Sequence, residues 1–430
     1  MAKKEIKTEN KDSLMENIIS LCKRRGFIFQ GSEIYGGLAG TWDWGHFGLA
    51  LKNNIKQSWW KKFVDSRRDM YGIDAAILMR QEVWVATGHV ENFADPFNGK
   101  KFNTMLKTQV GAGEEATTSY LRPETAQGIF VNFKNTVDAF HPKLPFGIAQ
   151  IGKAFRNEIA PRDFIFRQRE FEQMEIEYFV RPEDWEKYFE YFKDEMLEWM
   201  VEVGIDMAKV HDIEVPDADR AHYSSRTVDF EFEYPFGQKE LFGLAYRSDF
   251  DLKTHKLDYI DEAPTPGGAG VPTESVGKKI IPHVIEPSFG VDRAVLAVLL
   301  SAYAEDEGGP ASVQDSGEVK EKRIYLKLKP NIAPVICAVS PLLKNKPDLV
   351  KKAEEIFGVL KAEFGHVIWD DNGNIGKRYR RQDEIGTPFC ITIDFDTLED
   401  GTVTVRDRDT AKQERIKTSD LITFIKSKIS

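Results

Sequence analysis

The chain has 430 residues, of which 41% are hydrophobic and 12% aromatic, and its formal charge is -10. A chain of this size and composition is an ordinary globular protein with a large core and two or three domains. No run approaches the roughly eighteen consecutive apolar residues of a membrane span, and no apolar stretch follows the charged start MAKKEIKTENKDS. The expectation is therefore a cytoplasmic protein with no membrane partner. Cys22, Cys337 and Cys390 lie far apart and form no CxxC or Cys/His cluster, so neither a disulfide framework nor a zinc site is expected.

Charge is unevenly spread. From Glu321 onward the chain has 20 Lys and Arg against 17 Asp and Glu, which leaves the acidity to the larger N-terminal part. An acidic body with a slightly basic tail suits a cationic small substrate in the one and RNA in the other.

In chain order, residues 51–67 form a predicted helix with Ile55, Trp59 and Phe63 on one face. Two strands follow within residues 155–179, joined by a loop at 159–163. Residues 182–203 have aromatics at helical spacing. TVDFEFEY, residues 227–234, alternates apolar and acidic residues as a half-exposed strand does. These strands predict an antiparallel sheet. Residues 305–322 are rich in Gly, Pro, Ser and charge and read as a linker between a first part, 1–304, and a second, 323–430. In the second part a helix over 347–364, HVIWDD, the basic helix GKRYRRQDEIG, PFCITIDF, TVTVRD and a final helix alternate as in a small α/β domain with a mixed sheet.

Two segments carry chemistry. In FRNEIAPRDFIFRQREFEQMEIEYF, residues 155–179, Arg156, Arg162, Arg167 and Arg169 stand among Glu158, Glu170, Glu172, Glu175 and Glu177. The pattern fits a salt-bridged hairpin surface, and it equally fits a floor for a polyphosphate with Phe171 stacking on a purine. In HVIEPSFGVDRAVLAVLLSAY, a strand ends at a Gly290 turn and an apolar helix starts at Asp292 and Arg293. Asp292 can be an N-cap and Arg293 a solvated residue, or Arg293 can hold a phosphate oxygen beside free backbone N–H groups.

These segments resemble motifs 2 and 3 of the class II aminoacyl-tRNA synthetases, and in detail the homodimeric type of glycyl-tRNA synthetase. The resemblance runs from YGGLAGTWDWGHFG through LKNNIKQSWW, RPETAQGIF, GKAFRNE, REFEQMEIEYF, YSSRTVDFEFEYPFG, KELFGLAYRSDFDLKTH and EPSFGVDR to GTPFCITIDFDTLEDGTVTVRDRDT. It implies an α+β fold: a class II antiparallel sheet flanked by helices, then a C-terminal α/β anticodon-binding domain. It also implies Arg156 on the α-phosphate of ATP, Arg293 on the γ-phosphate, Glu158 near the adenine, Phe171 stacked on it, and Glu240 holding Mg²⁺ with the ATP. Asn157, Phe166, Arg167, Gln168, Arg169 and Glu170 would complete the ATP site in motif 2, and Leu241, Gly290, Val291 and Asp292 beside Glu240 and motif 3.

Glu124, Glu175 and Glu286, with Ser288, match the positions around the glycine ammonium. Glu172, Gln173, Met174, Pro287, Phe289 and Gly290, together with Phe171, are their chain neighbours in that site. Carboxylates accept from an ammonium, and a pocket closed against the α-carbon excludes a side chain sterically, so no editing domain is expected. The implied partners are tRNA(Gly), ATP, glycine and a second copy of the chain, the latter through the region around residues 53–63. A non-catalytic synthetase-like binding protein would lose the phosphate-binding arginines, which are present here.

Three departures stand out. The stretch near 97–121 is much shorter than in relatives and lacks their basic RYRAD-like segment. Trp44, Gly45 and His46 replace the usual proline turn near motif 1, and Gln168 falls at a variable position. In the tail, Lys377, Arg378, Arg380 and Arg381 around Tyr379 predict contacts to RNA, unless the helix is simply exposed.

Overall fold

A computed structural model describes residues 2–97, 100–221, 223–261, 277–306 and 322–429. Its centre is a seven-stranded sheet of β1 (Met70–Gly72), β2 (Phe146–Phe155), β3 (Glu170–Val180), β4 (Val210–Glu214), β5 (Arg226–Tyr234), β6 (Gly237–Ser248) and β7 (His283–Gly290), in the order β4-β5-β6-β7-β3-β2-β1. All neighbours are antiparallel except β1, which lies parallel to β2. The expected antiparallel sheet is present.

Because strand side chains alternate between faces, one sequence serves two environments. The helices His46–Trp60, Trp185–Glu202 and Val291–Ala302 cover one face, where Trp59, Phe63, Trp199, Phe242 and Phe289 form a contiguous aromatic cluster. On the other face, Phe146, Ile148, Phe179 and Val284 pack beneath the helices Ala126–Phe130 and Phe133–Phe140 at one end. The remaining end of that face is polar.

Three expectations change. The helix expected over 51–67 starts earlier and ends in a π-turn, Lys61–Asp65. Its apolar face, Leu51, Ile55, Trp59 and Phe63, is buried in its own chain and is not left for a partner. The connection between β2 and β3 runs from Arg156 to Arg169, longer than the expected 159–163 loop. Asp163 and Phe164 take left-handed backbone angles, φ 61° and 58°, and start a short turn, Phe164–Phe166.

Residues 307–321, most of the expected linker, lie outside the described residues. On either side, strands Tyr303–Asp306 and Arg323–Leu326 pair antiparallel. Leu326, Leu328, Ile332 and Ala333 then join the large core, and Asn54 donates to the carbonyls of Ile332 (3.3 Å) and Ala333 (2.9 Å). A separate core begins at Cys337, around a five-stranded sheet ordered Val367–Trp369, Cys337–Pro341, Phe389–Ile393, Thr402–Asp407, Gln413–Lys417. Its first three strands are parallel and the last two antiparallel, giving the expected mixed sheet.

The basic helix Ile375–Ile385 departs from its expected role. Arg378 is buried and donates to the carbonyls of Pro341 (2.5 Å), Asp371 (3.0 Å) and Gly373 (2.9 Å). Arg381 pairs with Asp370 at 2.6 Å, and the Tyr379 hydroxyl meets Thr392 at 2.9 Å. The run therefore fastens the helix to its own domain; of its four basic residues, Lys377 and Arg380 are exposed.

Candidate active site

Strand alternation sorts the candidate residues. Gln173, Glu175 and Glu177 share one face of β3, whereas Glu172 and Met174 point to the helix-covered face, Met174 into the core. In β7, Glu286, Ser288 and Gly290 face the polar side, and Phe289 sits among the core aromatics with Pro287 on its side. Register then places Glu175 opposite Ser288, Ser288 opposite Gly243, and Gly243 opposite Asp229.

Glu175 is buried and saturated with donors. Its Oε2 accepts from the Thr125 backbone N–H (3.1 Å) and hydroxyl, and its Oε1 from Gln173 (2.9 Å) and Ser288 (2.9 Å). Glu286 accepts from Arg247 Nη1 at 2.7 Å, and Arg247 is itself clamped by Asp251 at 2.7 and 2.9 Å. Glu177 lies fully buried in the same row, and among the described residues neither of its carboxylate oxygens has a hydrogen-bond partner.

Glu124 comes from the Pro123-Glu124-Thr125 turn that leads into helix Ala126–Phe130. Its Oε1 lies 3.3 Å from His89 Nε2 and 3.4 Å from Gln127 Nε2.

Electrostatics separate these carboxyls. Burial would raise Glu124, yet the charges of His89, Arg247 and Arg156 hold it down at about 2. Burial, and then the charge of Glu124, push Glu175 up. Burial pushes Glu286 up to about 8, with Arg247 opposing and Glu175 and Glu124 adding. Burial and Glu286 push Glu177 well above the carboxylate range. Four acids thus crowd one buried arginine, a cluster whose charge is able to attract a further small cation.

The second half of the site adjoins the first. The Arg156 guanidinium lies 5.2 Å from the rings of both Phe93 and Phe171, with Nε donating to the Pro123 carbonyl at 3.0 Å. Arg167 pairs with Glu158 at 2.7 Å, and Arg169 donates to the Glu158 (3.0 Å) and Ala39 (2.6 Å) carbonyls. Arg293, at the start of helix Val291–Ala302, lies 4.5 Å from the Phe166 ring and 3.2 Å from Glu240 Oε2. The charge of Arg293 holds the Glu240 carboxyl below its usual range.

Other candidates stand further off. Asn157 uses its backbone N–H on Thr104 (2.7 Å), Gln168 is buried and donates to the Ile165 carbonyl (2.9 Å), and Glu170 pairs with Lys153 (2.8 Å). Leu241 and Val291 are core residues. Glu172 and Asp292 lie behind the sheet with the buried Lys52: Lys52 pairs with Glu172 and lies 4.0 Å from Asp292, which accepts from the Glu172 N–H at 2.8 Å.

Sequence reasoning missed His89, Thr125, Gln127, Arg247, Asp251 and Lys52. Arg247 and Asp251 are four residues apart, a spacing that permits an ion pair within a helical turn and was the one available signal. Thr125 and Gln127 follow Glu124 in the chain, whereas His89 and Lys52 reach their partners only through the fold.

A class II synthetase is what this sheet and its two adjoining half-sites define. Residues 108–303 match the family model described as "tRNA synthetase class II core domain (G, H, P, S and T)", and residues 336–428 that described as "Anticodon binding domain". The curated glycine–tRNA ligase of Thermobifida fusca is 42% identical over 98% of this chain and 99% of its own. Those of Thermus thermophilus (42%; 97% and 99%) and Treponema denticola (43%; 96% and 97%) are similar to the same extent. The chain belongs to the glycine–tRNA ligase family. The alignment with the first relative spans 476 positions against 430 residues here, so relatives contain segments that this chain lacks.

Proposed function

We propose that the chain activates glycine with ATP, releasing diphosphate, and transfers the glycyl group from the adenylate to the 3′ end of tRNA(Gly). The observation that carries this reading is the adjacency of the acid-lined pocket of Glu124, Glu175, Glu286 and Ser288 to Arg156, both on the polar side of β3. Glycine's ammonium enters the acids, which leaves its carboxylate directed at the ATP α-phosphate. No general base is needed, because the nucleophile is already ionised. Arg156 takes the charge that builds on the α-phosphate, and Arg293 holds the γ-phosphate.

Glu240 fits a magnesium ion arriving with ATP: its carboxylate is held ionised and its side chain is half-exposed, and Mg²⁺ typically takes one or two carboxylates plus phosphate oxygens. Bound there, the ion would neutralise the departing diphosphate.

The reading includes a catalytic part over 1–304, a linker at 305–322 and an anticodon-binding part over 323–430; two hydrophobic cores support a division into two parts, although residues 326–333 pack into the first core and the second begins at Cys337. It also includes a cytosolic homodimer. Ile34 and Tyr35, 88% and 87% exposed beside motif 1, and the exposed Leu38 and Leu49 offer an apolar surface for the second copy. Glycine-dependent ATP–diphosphate exchange, measured across all amino acids, tests the central claim. Exchange that peaks with alanine or serine, or no exchange at all, would overturn it.

A further inference from the structure

Residues 78–121, which run into the shortened stretch, build a small wall on the site. Helices Gln81–Ala86 and His89–Asn92 pack with strands Leu78–Arg80, Lys107–Val110 and Thr117–Leu121 around Trp84, Met105 and Tyr120. Two wall residues reach the two halves of the site: Phe93 lies against Arg156, and His89 against Glu124. His89 is 5% exposed, with Trp84 edge-on to its ring at 5.3 Å and Phe93 stacked on it at 5.6 Å.

Hydrogen-bond directions around the ring bear on where its protons sit. Thr87 Oγ1 lies 3.0 Å from the Val83 carbonyl and 2.7 Å from His89 Nδ1. A hydroxyl has one proton to donate, and a carbonyl can only accept. With that proton on Val83, Thr87 must accept from Nδ1–H. His89 Nε2 faces Glu124 Oε1 at 3.3 Å. If Nδ1 held the ring's only proton, the Nε2 lone pair would oppose a carboxylate oxygen. A proton on each nitrogen satisfies all three contacts, and the stacked face of Phe93 accommodates such a cation. The alternative turns the Thr87 proton to Nδ1 and leaves two oxygens 3.0 Å apart with no proton between them.

We propose that His89 is a positioning residue of the amino-acid pocket: as an imidazolium braced by Thr87, it grips Glu124 Oε1 and turns Oε2 toward the substrate ammonium. Without a cation at this place, burial would favour protonation of Glu124, with only Arg247 and Arg156 left to oppose it. Gln127 meets the same Oε1, so both contacts fall on one oxygen and leave the other to the substrate. The inference rests on the pocket reading above.

Histidine nitrogen NMR of isotope-labelled protein, which has eight histidines, tests the charge directly. At neutral pH, the histidine whose signal moves most in Glu124→Gln should show protons on both ring nitrogens in the wild type and on one nitrogen in that variant. His89→Gln, which keeps a donor but no charge, should raise the glycine KM in diphosphate exchange about tenfold or more while the ATP KM stays within about twofold. A neutral His89 in the wild type, with its proton on either nitrogen alone, overturns the proposal. So does an unchanged glycine KM in His89→Gln. If Glu124→Gln itself leaves the glycine KM unchanged, the pocket reading falls; if it raises that KM while His89→Gln does not, only the role of His89 falls.

Discussion

Arg156 and Arg293 sit in different surroundings, yet both are spread over aromatic rings rather than neutralised by several carboxylates. A guanidinium so held is aimed in advance, which is the condition for stabilising transition-state charge without reorganisation in the role proposed for both. Arg156→Ala and Arg293→Ala should each lower glycine-dependent diphosphate exchange by roughly a hundredfold or more while thermal unfolding changes little. Near-normal exchange in either variant would place the phosphates elsewhere. Glu286 makes a second prediction, with a definite sign. Its carboxyl is raised to about 8 by burial, so the folded protein binds a proton there that the unfolded chain gives up near the ordinary value of 4.5. That contribution to stability is complete below the unfolded value and is lost as pH rises toward about 8. An ammonium entering the pocket favours the ionised acid. Glycine binding should therefore release a proton at neutral pH, and its stabilising effect should grow from pH 6 to pH 8. Calorimetry in buffers of different ionisation enthalpy reads the proton count, and a binding heat independent of buffer would refute it.

At the scale of elements, Lys52 shows how three segments distant in sequence hold one another. It projects from helix His46–Trp60 to Glu172 on β3 and Asp292 at the start of helix Val291–Ala302, with its ammonium 4.5 Å from the Trp44 ring. Lys52→Met leaves two buried carboxylates without their cation and should destabilise the fold by about 3 kcal/mol or more in urea unfolding. A loss under about 1 kcal/mol would mean that solvent or Lys56, which also pairs with Glu172 at 3.0 Å, takes over. The strands were legible because TVDFEFEY and EFEQMEIEYF alternate with period two and each has one face to bury. The full loop was not, because FIFRQREF contains no glycine or proline to mark a break, and left-handed angles at Asp163 and Phe164 interrupt the strand where residue type gives no glycine signal. The Arg–Glu alternation of motif 2 placed Arg156, Glu175 and their neighbours in one region. It could not place His89 or Arg247, which come from a short helix and a strand whose approach to Glu124 and Glu286 is tertiary. The basic helix misled for a related reason: charge density in a sequence does not tell whether arginines face solvent or the carbonyls of their own loop.

For the whole molecule, the division of labour between the two parts can be tested by cutting the chain, and the cores show where to cut. Strand Arg323–Leu326 pairs with Tyr303–Asp306, and Leu326, Leu328, Ile332 and Ala333 are buried in the large core under Asn54. A chain ending near residue 308 would strip these four side chains from that core, opening cavities that cost several kcal/mol together. A cut after Val335 removes instead the separate core that begins at Cys337. It does break ties between the parts: Arg24 and Arg25 lose Glu384, and Arg323 loses Asp383, itself paired with Arg406. The arginines left behind become exposed to water, so the loss is smaller than that of buried unpaired charges. None of the residues proposed for ATP or glycine is removed. The chain ending at Val335 should stay folded and keep glycine-dependent diphosphate exchange within about an order of magnitude, a span equal to about 1.4 kcal/mol, yet lose most charging of tRNA. The chain ending near residue 308 should be insoluble or melt far lower. If the longer truncation charges tRNA as well as the intact protein, the C-terminal part does not read the anticodon, and if it folds but loses exchange, that part holds the catalytic site in shape.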